Sequence, residues 1–117
     1  MKNNYLNKIH DLKNKVIVIT GSCGQLGSSM CDLFVKMGCK VIGLDNSVES
    51  NKINNVDYYD LDIRQSKNVS IVFKNIFKKY NQIDILINNA GVSVFEPFEE
   101  RNEENFDWVM NVNLKGT

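Results

Sequence analysis

The run Val16-Ile17-Val18-Ile19 is apolar at every position rather than at alternate ones, and such a strand is stable only where both faces of its sheet are covered. That calls for helices above and below a parallel sheet. The rest of the chain repeats the pattern, with strands predicted over residues 15–20, 41–45, 56–61 and 83–87. After the first, Leu26, Met30, Phe34 and Met37 recur at helical spacing, with Gly38 placed to end that helix. After the third, Val69, Val72, Phe73, Ile76, Phe77 and Tyr80 repeat every three and four residues. The polar stretch 46–55 reads as a connection or a short helix. Strands separated by helices define an α/β chain: a doubly wound parallel sheet with helices on both faces, stopping after about four strands.

A length of 117 residues suits one domain over residues 1–117. Lysines plus arginines number 14 and aspartates plus glutamates 14, so no basic field draws in nucleic acid or anionic lipid. A small soluble molecule is the expected partner. The apolar runs are too short for a membrane span and residues 1–15 too polar for a signal peptide, so the expected compartment is the cytoplasm. Cys23, Cys31 and Cys39 lack the close pairing of a zinc or redox site and read as small buried side chains. His10, the single histidine, has no partner at metal-ligand spacing and reads as a surface residue, so no metal is expected.

Directly after the first strand comes a glycine-punctuated turn, Thr20-Gly21-Ser22-Cys23-Gly24-Gln25-Leu26-Gly27, which opens into the first helix. Between a buried strand and a helix start, its backbone amides and the helix N-terminus can hold a pyrophosphate. Gly21 permits the tight turn, Gly24 lets phosphate oxygens approach the backbone, and Gly27 lets the helix pack close to the sheet. Asp45 ends the second strand, where a carboxylate can accept hydrogen bonds from both hydroxyls of an adenosine ribose. The same carboxylate would repel a 2′-phosphate, and Cys23, Asn46 and Ser47 offer no compensating positive charge, so NAD is expected over NADP. Asp62, at the end of the third strand, is placed either to meet the adenine edge or to cap the next helix.

Phe106, Val109 and Met110 begin a last helix, and seven residues on from Phe106 its apolar stripe arrives at Asn113. A carboxamide on such a face needs a partner or a task, since leaving it buried and unpaired costs about 1–3 kcal/mol.

The segment Asp11-Leu12-Lys13-Asn14-Lys15-Val16 leading to Thr20-Gly21, followed in order by Asp62-Ile63, Asn88-Asn89-Ala90-Gly91 and Asn113-Leu114, resembles the short-chain dehydrogenase/reductase family over essentially the whole chain. The resemblance implies a Rossmann-like fold and an NAD(P)-dependent oxidoreductase that interconverts an alcohol and a carbonyl by hydride transfer. It implies that Gly21 to Gly27 bind pyrophosphate, Asp45 the ribose, and Asp62 with Ile63 the adenine. Asn89, Ala90 and Gly91 would line the coenzyme cleft. Asn113 corresponds to the family's active-site asparagine, which shapes a helix kink and holds a water in the proton relay. A homo-oligomer is implied as well.

Two departures from the family pattern stand out. The T-G-x-x-G-x-x-G spacing is similar to that of the extended branch, which modifies nucleotide sugars as epimerases or dehydratases, whereas N-N-A-G and the Asn113 segment look like the standard-length oxidoreductases. The family's catalytic serine and Tyr-x-x-x-Lys pair do not occur after Asn113, and none of Tyr5, Tyr58, Tyr59 and Tyr80 has a lysine four positions on. The fourth strand would also be left as an apolar edge. The expectation is therefore an N-terminal fragment carrying the coenzyme half of a longer enzyme and inactive alone, with a nucleotide-sugar epimerase or dehydratase of the extended branch, or a non-catalytic dinucleotide-binding module, as the alternatives.

Overall fold

The computed structural model describes residues 11–49 and 52–117. His10 and Tyr5 lie outside the described residues. Strands β1 (Val16–Thr20), β2 (Lys40–Asp45), β3 (Val56–Asp60) and β4 (Ile85–Ile87) form one sheet in the order β3-β2-β1-β4, with every pair parallel. Helix α1 (Gln25–Lys36) follows β1, and α2 (Ser66–Tyr80) follows β3. Side chains alternate across a strand, so β1 feeds two cores at once. Val16 and Val18 join Ile42, Leu44 and Leu61 around Ile76 of α2, while Ile17 and Ile19 join Val41 around Cys31 of α1. This is why the first strand is apolar throughout. Ile17, Ile19 and Ile42 are fully buried, and truncating any of them to alanine should cost about 2–5 kcal/mol.

Helix α1 is rotated by about one position from its predicted stripe. Gly27 and Cys31 are its buried residues, Met30, Phe34 and Val35 pack beside them, and Leu26 and Met37 are exposed. The small residues let the helix lie close to the sheet, which hydrophobicity alone does not reveal. Its end is as expected: Gly38, at φ +79°, donates to Val35 O while Cys39 donates to Phe34 O, the paired bonds that close a helix with a left-handed glycine.

Four strand limits differ slightly from expectation. β1 starts at Val16, β2 starts one residue early at Lys40, β3 stops at Asp60, and β4 starts only at Ile85. At β4, the Asp84 carboxylate takes the Val16 N–H at 2.7 Å, a donor that a longer ladder would have paired with a carbonyl. The described residues of 46–55 contain no helix. Helix α3 (Glu103–Met110) is capped by Asn102, whose side chain accepts the Asn105 N–H at 2.8 Å. The chain then loosens into a π-helix over Asn111–Gly116. That wider turn breaks the 3.6-residue period, and the stripe read from Phe106 to Asn113 is not an inward face. Both residues are exposed, and Val112 is the buried one. Among the described residues no helix is long and apolar enough to cross a membrane.

Candidate functional site: a cleft at the carboxyl ends of the strands

β1 ends in a knot with the segment after β4. Thr20 Oγ1 accepts the N–H groups of Asn89 (3.1 Å) and Ala90 (3.0 Å), and Asn89 Nδ2 donates to the carbonyls of Thr20 (3.0 Å) and Gly21 (3.1 Å). Gly21 has φ +64°, and a Cβ there would stand 2.8 Å from Ala90 Cα. The glycine turn and the N-N-A-G run are therefore one structural unit, each shaping the other.

The turn then enters α1. A Cβ at Gly27 would collide with the Gly21 carbonyl oxygen and come within 2.8 Å of Ser22 Cα, so only glycine lets the helix start this close beneath its own loop. At Gly24 a Cβ would meet only Gly21 O, at 3.3 Å. The fold itself asks much less of that position. The first helical bond runs from Ser28 N–H to Gly24 O, no side chain caps the helix, and its first turn holds no acidic residue. Helix geometry leaves the N–H groups of such a first turn without intrahelical partners.

Asp45 closes the far side. Only 9% exposed, its carboxylate accepts the Cys23 N–H on Oδ2 and the Ser47 N–H on Oδ1, both at 2.9 Å. It thus ties the glycine turn to the connection leaving β2. Burial, and then the Asp45 charge, raise the Cys23 thiol above its ordinary pKa, so it stays protonated and is a poor nucleophile. Asp62 is engaged by its neighbour: the Arg64 guanidinium donates to Oδ2 at 2.6 Å and its Nε to Oδ1 at 3.0 Å, which lowers the carboxyl pKa.

These elements enclose a cleft of about 770 Å³. Its walls bring together Gly21, Cys23, Gly24, Gln25, Leu26 and Gly27 of the turn; Asp45; Asp62 and Ile63; and Asn89, Ala90 and Gly91. Ser22 does not line it, being fully buried beneath the turn. Asn113 stands beside the cleft and bonds to Val92, which does line it. Sequence reasoning missed Trp108 and Val112, which enter the cleft wall from the last helix, and Arg64 at its rim. The four-residue spacing of Trp108 and Val112 was the available signal. Among the described residues, no group of three or more His, Cys, Asp or Glu side chains is arranged to hold a metal.

A parallel sheet bearing a glycine turn, an acidic second-strand end and a cleft at its carboxyl edge defines a Rossmann-like domain of the doubly wound α/β class. The sequence pattern of the short chain dehydrogenase family matches residues 15–117, and the chain belongs to that family. It is 34% identical over 116 residues to an NAD-dependent glycerol dehydrogenase of Listeria innocua, covering 94% of this chain and 46% of that one. The crystal structure of a short chain dehydrogenase from Leptospira borgpetersenii with bound NAD+ superposes with a TM-score of 0.80 at 38% identity, over 90% of this chain and 42% of that one. ElxO with NADP bound gives a TM-score of 0.78 at 25% identity, covering 88% of this chain and 46% of that one. The chain spans less than half the length of these relatives, in keeping with a sheet truncated after four strands.

Proposed function

We propose that this chain is the coenzyme-binding part of an NAD(P)-dependent oxidoreductase that interconverts a small alcohol and its carbonyl compound, with NAD preferred over NADP. The observation that carries the reading is convergence: the uncapped N-terminus of α1, the Asp45 carboxylate and the Asn89–Ala90–Gly91 segment all face one cleft. The residues fit a dinucleotide. The first-turn amides of α1 suit a pyrophosphate, and the open side of Gly24 admits its oxygens to the backbone. Asp45, held in place by two amides, lines the cleft and would accept ribose hydroxyls, while its charge would oppose a 2′-phosphate. Asp62 and Ile63 would border the adenine. When bound, the nicotinamide coenzyme supplies the hydride donor or acceptor.

Asn113 fixes the backbone at Val92, on the cleft wall just past Gly91, and in this reading also serves the proton relay. The serine and the Tyr-x-x-x-Lys pair that would act on the substrate oxygen are assigned to the part of the protein outside these residues, and homo-oligomeric assembly and a cytoplasmic setting belong to the same reading. Trp108, the single tryptophan, lines the cleft and provides the test. Titration with NADH should quench its fluorescence saturably, more tightly than NADPH, and Asp45→Ala should weaken NADH at least about tenfold, as loss of charge-assisted bonds implies. No saturable quenching by either coenzyme would overturn the proposal, and unchanged NADH affinity in Asp45→Ala would remove Asp45 from the site.

A further inference from the structure

The carboxylate of Asp62 is already filled. Its Oδ1 accepts the Arg64 backbone N–H and the Arg64 Nε–H, both at 3.0 Å, and its Oδ2 accepts the same Nε–H at 3.1 Å and a terminal guanidinium nitrogen at 2.6 Å. Each carboxylate oxygen offers two lone pairs, and each receives two contacts. Asp62 does not cap the following helix, whose N-cap is Gln65. It holds Arg64 instead, by a side-on fork that fixes the guanidinium plane. Among the described residues that line the cleft, Arg64 alone is cationic. Its place along the cleft follows from the sheet: the Leu61 N–H donates to the Asp45 carbonyl at 2.9 Å, so the end of β3 lies directly beside the residue proposed to hold the ribose. A base carried on that ribose would meet residues 61–64, where Leu61 and Ile63 line the cleft together with Arg64.

We infer that Arg64 binds the adenine of the coenzyme by stacking its guanidinium plane on the ring, and that Asp62 is a positioning residue that holds this plane in place. The inference rests on the NAD(P) reading above and names the group that meets the base. A guanidinium is planar and weakly hydrated, and it stacks well on aromatic faces. Stacking asks for no donor on the base, whereas a free carboxylate would take the exocyclic amino group of adenine. Here that amino group could reach Asp62 only by displacing Arg64. Asp62 and Arg64 are neutral as a pair, so the arginine brings a surface to stack on rather than a net charge to attract a 2′-phosphate.

The test is Trp108 fluorescence titration of the full chain. The wild type should bind reduced nicotinamide hypoxanthine dinucleotide, in which an oxo group replaces the adenine amino group, within about threefold of NADH, and this comparison needs no variant to fold. Arg64→Ala should weaken NADH about three- to tenfold, and Arg64→Lys, which keeps the charge but not the plane, should do no better. Asp62→Ala should cost about as much, and the double variant should bind NADH within about twofold of Arg64→Ala alone, because the two residues act as one unit. A loss of about tenfold or more for the hypoxanthine dinucleotide, unchanged NADH affinity in Arg64→Ala, restoration by Arg64→Lys, or additive losses in the double variant overturns the inference while leaving the NAD(P) reading standing. Failure of the wild type to bind either NADH or NADPH overturns both.

Discussion

The carboxamide of Asn113 is bonded twice to one residue: Oδ1 accepts the Val92 N–H and Nδ2 donates to the Val92 carbonyl, both at 2.8 Å across 21 residues of chain. The side chain acts as a short piece of strand, pairing with the backbone just beyond the N-N-A-G run. Because Asn113 is exposed, water can partly replace these bonds, and Asn113→Ala should cost only about 1 kcal/mol in urea unfolding. The local effect should be larger. Amide exchange at Val92 should speed up at least about tenfold, and Asn113→Asp, which keeps the acceptor but opposes the carbonyl, should not restore it.

Gly27 and Gly24 should separate folding from binding. Gly27→Ala drives a methyl into the backbone of Gly21 and Ser22, so it should destabilise the protein by about 1–3 kcal/mol or more. Gly24→Ala meets only one oxygen, at 3.3 Å, and should leave the urea midpoint nearly unchanged. On the proposed reading it should nevertheless weaken NADH several-fold, because the methyl would stand where the pyrophosphate oxygens are proposed to approach. Equal loss of stability in the two variants would count against this division.

Stability should fall in acid partly through Asp84. The Val16 N–H, and then the Lys15 ammonium, lower its pKa in the folded protein. A depressed carboxyl pKa contributes stability that is complete above the unfolded value, about 3.9, and is lost as pH falls through the folded one. The gap in urea midpoint between wild type and Asp84→Asn should therefore narrow from about pH 6 to about pH 3. A gap that is constant across that range would show that the charge is not involved.

Among the described residues, β4 pairs only with β1, and Leu86 on it is 45% exposed. An open apolar strand edge invites pairing between chains. The 117-residue chain should therefore self-associate with rising concentration, and Leu86→Lys should shift its sedimentation toward monomer without lowering its thermal midpoint.

The strands and their order of appearance were legible because apolar runs and glycine turns are local signals. Asp45 and the N-N-A-G run could be placed at the carboxyl ends for the same reason, since strand ends in a parallel sheet lie on one side. What escaped was set by packing. Leu26 looks like a core residue but is displaced to the cleft by Gly27 and Cys31, whose small size lets α1 approach. Asn113 was read with a period that the π-helix does not keep. The Tyr58 ring covers Gly43 so closely that a Cβ there would stand 2.7 Å from it, a packing set by the register of two strands, which neither residue announces. Arg64 was passed over because its partner, Asp62, was read either as meeting the adenine edge or as capping the next helix, whereas its carboxylate is bonded to the guanidinium two places along.

Cys31 sits at 0% exposure between α1 and the sheet, and burial, with a further contribution from Cys23, pushes its pKa to about 11. Such a thiol reacts with an alkylating reagent only after the helix has lifted away. Its labelling rate is therefore a clock for that opening, readable by mass spectrometry without any engineered cysteine, whereas Cys39, half-buried in the turn after the same helix, times the fraying of the corner. The protein carries its own pair of chemical stopwatches, one for the core and one for its margin.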